Sequence, residues 1–277
     1  EIARSLAAED SRVILVENPS GRTAAGLNIA LNSSTQDVVV RVDAHAEIPH
    51  DYLQLVVEIL RETGAVNVGG VMGAEGVTFF ETAVAAAMCS PFGVGGSRFH
   101  TGGKAGFVDT VYLGAFIRQA VVDAGGFDER FIRAQDWELN HRLRQNGGKI
   151  YFDPRLKVIY RPRSTIKALA KQYFEYGRWR RVVSRRHQGT INYRYLAPPF
   201  TVVATTLSLL LGAIASPLFL IPALVYSVFI LGASLIIGKS AGEVLCLPTI
   251  LLTMHISWGL GFLTSPKSLA PAVTLLP

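Results

Sequence analysis

Cysteine and charge are what this sequence has least of. Its 277 residues include only two cysteines, Cys89 and Cys246. They lie far apart in unlike surroundings, which excludes a disulfide framework and a cysteine-based zinc site. Charged residues make up only 17% of the chain, and they are unevenly spread. From Phe200 to Gly238 there is no Asp, Glu, Lys or Arg, and Val244 to Thr264 is again free of them. The first stretch is too long for one membrane span and long enough for two, with a break near Ser216-Pro217 or Pro222. The second suits a third span, although Pro248, Gly259 and Gly261 leave a re-entrant or interfacial segment open. Acidic residues are nearly absent just before these stretches. Between Arg155 and Arg194 there are twelve Lys or Arg against one acid, Glu175. A basic block beside an apolar block points to an anionic membrane surface and away from nucleic acid. Signal-peptide patterning is also missing at the start.

What is there begins with Val38-Val39-Val40-Arg41-Val42-Asp43-Ala44-His45. The β-branched run predicts a buried parallel strand. Ligands of open α/β sheets bind beyond the carboxyl ends of strands, where Asp43 and His45 fall. A carboxylate and an imidazole suit a divalent cation that also holds phosphate oxygens. The plainer reading makes Asp43 a helix cap and His45 incidental.

Residues 13–16 (Val-Ile-Leu-Val) predict a short buried strand that opens without a partner. The chain is therefore expected to lack the first strand of its domain. The segment Glu17-Asn18-Pro19-Ser20-Gly21-Arg22 reads as a turn, and residues 23–32 as a helix. A helix from Pro49 or Asp51 to about Glu62 has Leu53, Val56, Val57 and Leu60 on one face. Strands are expected at 65–72, 108–113, 149–152 and 157–160, and helices at 79–88 and 136–145. Their alternation implies a largely parallel sheet. Residues 89–106 form a glycine-rich loop with Arg98, His100 and Lys104. It fits neither a dinucleotide fingerprint nor a P-loop. Residues 166 to about 187 predict one basic helix with Leu169, Tyr173, Phe174, Tyr176 and Trp179 among the bases. That composition suits a helix in the membrane interface, and a soluble helix packed on the domain is the alternative.

Six stretches in one order carry a resemblance. They are Val42-Asp43-Ala44-His45-Ala46, Ser90-Pro91-Phe92-Gly93-Val94-Gly95-Gly96 and Val108-Asp109-Thr110-Val111-Tyr112-Leu113-Gly114-Ala115-Phe116. The others are Gly125-Gly126-Phe127-Asp128-Glu129, Gln135-Asp136-Trp137-Glu138-Leu139-Asn140 and Gln172-Tyr173-Phe174-Glu175-Tyr176-Gly177-Arg178-Trp179. Over roughly residues 12–187 the chain resembles the family 2 glycosyltransferases of the GT-A fold, within them the bacterial exopolysaccharide enzymes of the succinoglycan type.

The resemblance implies an α/β GT-A domain with a mostly parallel, Rossmann-like sheet over residues 1–165. A basic interface helix and linker would follow over 166–198, and about three membrane helices over 199–277. It implies an inverting, metal-dependent transferase. The sugar would pass from a nucleotide-sugar, on a UDP carrier, to a lipid-linked or polysaccharide acceptor. Asp43 and His45 stand where the family's Asp-x-Asp motif binds Mg²⁺ or Mn²⁺, His45 being a departure from the commonest pattern. Asp136 matches the catalytic base; first-turn helix stabilisation is the plainer reading of Asp136 and Glu138. Asn18, Arg22, Gln172, Arg178 and Trp179 are expected to contact donor or acceptor. The Gln172 to Arg178-Trp179 spacing exceeds that of processive synthases, which favours a single transfer. Membrane lipids are expected partners. Placement in a bacterial inner membrane, basic block and catalytic domain cytoplasmic, follows from family and charge. The alternative is a catalytically inactive, transferase-like membrane subunit that serves assembly.

Overall fold

The computed structural model describes residues 1–44 and 46–269. After α1 (Ile2–Glu9) and α2 (Thr23–Ser33) come β1 (Val38–Val40), β2 (Ala46–Glu47), α3 (Tyr52–Thr63) and β3 (Asn67–Ala74). Then follow α4 (Phe79–Met88), two short helices α5 (Pro91–Val94) and α6 (Arg98–Thr101), β4 (Gly106–Phe107) and β5 (Tyr112–Ile117). The domain closes with α7 (Arg118–Asp123), α8 (Gln135–Gln145), β6 (Ile150–Tyr160) and α9 (Ile166–Arg186). The last long helices are α10 (Tyr193–Ile214), α11 (Ile221–Ile237) and α12 (Ala241–Thr264).

The sheet order is β1-β5-β3-β6-β2, with β4 also on β6. It is mixed, which corrects the expectation of a mostly parallel sheet. Only β3 and β6 pair in parallel among the described strands; β5 runs against both β1 and β3. The main strands β1, β3 and β6 do share one direction, but β5 returns between the first two. The chain reaches β5 from β3 by way of α4, α5, α6 and β4, and enters it from the end of the sheet where β3 finished, so the strand runs back. The valine run is accordingly a half-buried edge strand paired with β5, not a buried parallel one. Residues 13–16 are not a strand: Ile14 is 70% exposed, and none of the four enters a described ladder. The two strands expected at 149–152 and 157–160 are one bent strand, because the register against β3 shifts at Asp153-Pro154 without ending it.

Helices cover the sheet on both sides. Leu139 and Leu143 of α8 pack with Phe116, Ile150 and Phe152 on one face. Val56, Ile59 and Leu60 of α3 pack with Val68, Leu113 and Val158 on the other. The i, i+3, i+4 spacing of those α3 residues makes the stripe that faces the sheet. A third core joins α4 and α9 to the apolar helices through Met88, Tyr173, Leu247, Ile250 and Met254. Among the described residues, three segments are long and apolar enough to cross a membrane: Tyr193–Ile214, Pro217–Ile237 and Ala241–Thr264. The first starts before residue 200, with Pro198 and Pro199 inside it. Helix α9 lies directly on α12. A Cβ at Gly177 would stand 1.9 Å from the Trp258 carbonyl oxygen, and one at Gly261 would stand 2.0 Å from that of Phe174. Only glycine permits two backbones to approach this closely.

Candidate active site

The site forms where β1 ends and α8 begins. Beyond Val40 the β1–β5 ladder continues for one more bond, from the Arg41 amide to the Gly114 carbonyl at 3.1 Å. That bond fixes the Arg41 backbone. Its side chain is 9% exposed, and its fork faces two carboxylates. Nε donates to Asp43 Oδ1 at 2.8 Å and Nη2 to Asp43 Oδ2 at 3.2 Å. Nη1 donates to Asp136 Oδ1. Burial works against the charge on Arg41, but Asp136 and Asp43 outweigh it and hold the guanidinium pKa up.

Asp136 reaches this point from the first turn of α8. The helix starts abruptly, from Ala134 at φ 60° with no side-chain cap. On the other side of the arginine, Leu113 takes φ 59° just before Gly114. Left-handed backbone at residues with a Cβ costs energy, and such outliers gather at functional sites. Here they flank the two elements that bring Arg41 and Asp136 together. Burial raises the Asp136 pKa, Arg41 pulls it down and the nearby Asp43 carboxylate pushes it up; the net direction is upward.

Tyr112 and Tyr160 extend the site. Tyr112 opens β5, and burial together with the Asp43 carboxylate pushes its hydroxyl pKa up. Its ring meets that of Tyr160 edge-on at 6.3 Å. Tyr160 ends β6 opposite Ala46, just past the Asp43 turn. Gln172 Nε2 donates to the Tyr160 hydroxyl at 2.9 Å and to the Tyr176 hydroxyl at 2.7 Å. The structure thus joins Asp43, Asp136 and, through tyrosines, Gln172. Sequence reasoning missed Arg41, Tyr112, Tyr160 and Tyr176 as parts of this group. For Arg41 a signal existed: it is the one charge inside the valine run.

The other expected contacts lie elsewhere. Asn18 holds the turn into α2, its Nδ2 donating to the Arg22 carbonyl at 3.0 Å, and Arg22 is exposed. No described bond or ion pair joins either to the Arg41 cluster. Arg178 pairs with Glu175 at 2.8 Å and lies over the Phe174 ring. The Trp179 ring is buried against Phe131 in a cluster with Val182 and Val183, and Ala134 packs on that cluster, which so braces the start of α8 from behind. His45 lies outside the described residues. Glu138 is buried: Arg142 grips it at 2.8 and 2.6 Å, and His187 Nε2 lies 3.1 Å away. Burial raises its pKa, but His187 and Arg142 outweigh that and hold the carboxyl low. Because Arg142 also donates to the Gly126 carbonyl at 2.8 Å, Glu138 ties α8 to the Gly125-Gly126 turn and to the end of α9.

A mixed sheet between helices, with an acid at a strand end facing an acid at a helix start, defines a glycosyltransferase of the GT-A type. Residues 1–121 match Glycosyl transferase family 2. Over 266 residues the chain is 32% identical to the succinoglycan biosynthesis protein ExoA of Rhizobium meliloti (strain 1021), spanning 95% of this chain and 80% of that protein. It is 24% identical over 251 residues to a dolichyl N-acetyl-alpha-D-glucosaminyl phosphate 3-beta-D-2,3-diacetamido-2,3-dideoxy-beta-D-glucuronosyltransferase of Methanococcus voltae, spanning 88% and 75% of the two chains. Among solved structures, the mannosyltransferase PcManGT from Pyrobaculum calidifontis, in complex with GDP-Man and Mn2+, superposes with a TM-score of 0.62. Identity there is 19%, over 95% of this chain and 74% of that one, and the likeness is one of fold. The chain belongs to glycosyltransferase family 2.

Proposed function

We propose that this protein is an inverting, metal-dependent transferase that moves a sugar from a nucleotide donor to a lipid-linked or polysaccharide acceptor at the cytoplasmic face of a bacterial membrane. The observation that carries this is the meeting of Asp43 and Asp136 on one guanidinium. Residues 1–165 are read as the transferase domain, 166–198 as the interface segment and 199–277 as the membrane region. The relatives' names support acceptors on polysaccharide or lipid carriers. The mannosyltransferase complex with a nucleotide-sugar and Mn2+ supports a nucleotide-sugar donor and a divalent cation.

The donor set suits Mg²⁺ or Mn²⁺. Among the described residues no three His, Cys, Asp or Glu side chains converge on one point. A cation shared with a diphosphate needs only one or two protein ligands. Both Asp43 oxygens already face a positive group, the Arg41 guanidinium, so this carboxylate is placed to hold positive charge. Asp43, with His45, would hold the ion. When bound, the ion neutralises charge on the departing diphosphate.

Asp136 takes the proton from an acceptor hydroxyl. That oxygen bonds to the anomeric carbon from the face opposite the donor phosphate. The bond from that carbon to the phosphate oxygen breaks, and its electron pair leaves with the nucleoside diphosphate. A base whose pKa is raised, here chiefly by burial, is better matched to this task than a free aspartate. Gln172 and its tyrosines border the same site and are assigned to the sugar or acceptor. Asn18, Arg22 and Arg178 stay assigned to donor or acceptor on the resemblance alone, whereas Trp179, only 3% exposed, is buried away from both and supports the start of α8 instead.

The test is nucleotide affinity in excess Mn²⁺. Asp43→Ala should weaken it by about tenfold or more, as expected for a lost charged contact. Equal affinity of wild type and variant refutes the metal assignment.

A further inference from the structure

Arg41 sits between two carboxylates that come from opposite ends of the domain's sequence. Asp43 is two residues away on the same strand end; Asp136 is brought by α8. We propose that Arg41 is a positioning residue: it yields Asp43 to the donor's divalent cation and keeps Asp136, whose direction it sets. This rests on the roles given above to Asp43 and Asp136.

Three features support it. First, the arginine is anchored. Its amide continues the ladder in which Val39 faces Phe116 and Val40 faces Ala115, so the base of the side chain does not drift. Second, the three polar groups are layered. Arg41 is 9% exposed, whereas Asp43 and Asp136 are 25% and 35% exposed, so the guanidinium forms the floor and both carboxylates reach outward. A cation arriving with phosphate from the open side meets Asp43 oxygens that Arg41 also claims. Two positive groups cannot both hold them closely, because like charges at contact distance repel. Third, the fork divides its donors. Nε and Nη2 serve Asp43, while Nη1 serves Asp136 alone. Losing Asp43 leaves the bond to Asp136 intact. A planar fork can make this division; the single point charge of a lysine cannot. A purely structural ion pair would instead lower stability and leave metal affinity alone.

The experiment uses the full chain in detergent, as wild type, Arg41→Gln and Arg41→Lys. Mn²⁺ alone is titrated and read by the EPR signal of the free ion. Arg41→Gln should bind Mn²⁺ about three- to tenfold tighter, since a competing charge pair is gone. Its kcat should fall about 10²-fold through a misplaced base, with the donor KM much less affected. Arg41→Lys should keep a Mn²⁺ affinity near that of wild type yet recover little of the rate. It carries the test if the glutamine variant does not fold. Equal or weaker Mn²⁺ binding by Arg41→Gln, or none by either protein, overturns the proposal, and so does full recovery of kcat by lysine. Asp43→Ala in the same titration separates the two readings. If it binds Mn²⁺ as wild type does, the role of Asp43 fails; if it binds more weakly while Arg41→Gln binds as wild type does, the exchange fails alone.

Discussion

Asparagine at position 136 removes one charge and keeps the side-chain shape. The carboxyl it replaces is 35% exposed and bound to Arg41 Nη1. Burial raises its pKa, Arg41 opposes this, and Asp43 adds to the rise, so the folded-state value stands above the ordinary 3.8. The sign of the stability effect follows. A raised carboxyl pKa stabilises the fold in its protonated form, fully below the unfolded value. That contribution is lost as pH rises through the folded value. Near pH 7 the ionised group is a net cost, and asparagine removes it. Arg41 keeps its two bonds to Asp43 in the variant. We therefore expect Asp136→Asn to melt no lower than wild type at pH 7, within about 1 kcal/mol for a partly exposed site. Catalysis should move the other way. Loss of a general base costs about 10²- to 10⁴-fold, or roughly 3–5 kcal/mol of barrier. The assay is single-turnover release of nucleoside diphosphate by the full chain, with nucleotide affinity measured in parallel and left nearly unchanged. The wild-type acid limb should be displaced upward from that of an ordinary aspartate. A variant with more than about a tenth of the rate would refute the base. A variant that melts far below wild type would make the pair with Arg41 a structural one.

Glu138→Gln should destabilise the fold by about 3 kcal/mol, because it strands Arg142 and His187 beside a buried site. The wild-type contribution is present above the ordinary carboxyl pKa of 4.5 and is lost as pH falls through the lowered folded value, so the two proteins should converge in acid. Thermal unfolding against pH checks both points. Gly177→Leu drives a side chain into the Trp258 carbonyl, where even a Cβ has only 1.9 Å, and should cost more than the roughly 1–3 kcal/mol of ordinary overpacking. Gly96→Ala, with open space around the added Cβ, is the matched control and should melt like wild type. For topology, a reporter fused after Leu269 should be active outside the cytoplasm if all three apolar segments cross and the basic face of α9 is inside. Cytoplasmic activity there would exclude three crossings.

Helix α9 was legible almost to the residue. Its apolar spacing is helical, and Thr165 caps it by accepting from the Ala168 amide at 3.2 Å. Both signals are local. The apolar helices were legible for the same reason, since length and absence of charge are read without knowing any neighbour. Residues 13–16 show the limit. A β-branched run looks the same whether or not another strand lies beside it, and here none of the described strands does. Strand direction failed likewise: β5 looks like any buried strand, and only its partners reveal that it runs backward. Arg41 was lost to a third cause. Its partner Asp136 stands 95 positions away, and no periodicity links two such residues. Asp43 and Asp136 were each readable from a motif, while the guanidinium that joins them was not.

Contacts between rings and an arginine reach from the first turn of α8 to the apolar helices. Trp137, next to Asp136, stacks on His141 at 5.4 Å, and its ring also faces the Arg180 guanidinium at 4.2 Å. Arg180 meets the Tyr195 ring at 3.8 Å, Tyr195 lies parallel to Trp258 at 6.4 Å, and Trp258 stacks on Phe262 at 5.5 Å. These rings belong in turn to α8, α10 and α12, and the arginine between them to α9. Each cation–π contact contributes about 0.5–2 kcal/mol when desolvated, so the two on Arg180 tie α8 and α10 to α9. The Asp136 helix is therefore held against the apolar helices as part of one body, and glycines at 177 and 261 make that body tight. An acid on a free loop would have to be ordered by its substrate. Here its helix is fixed beforehand, from behind by the Trp179 cluster under Ala134 and from the side by these contacts, and Arg41 is left only the last adjustment of the carboxylate itself.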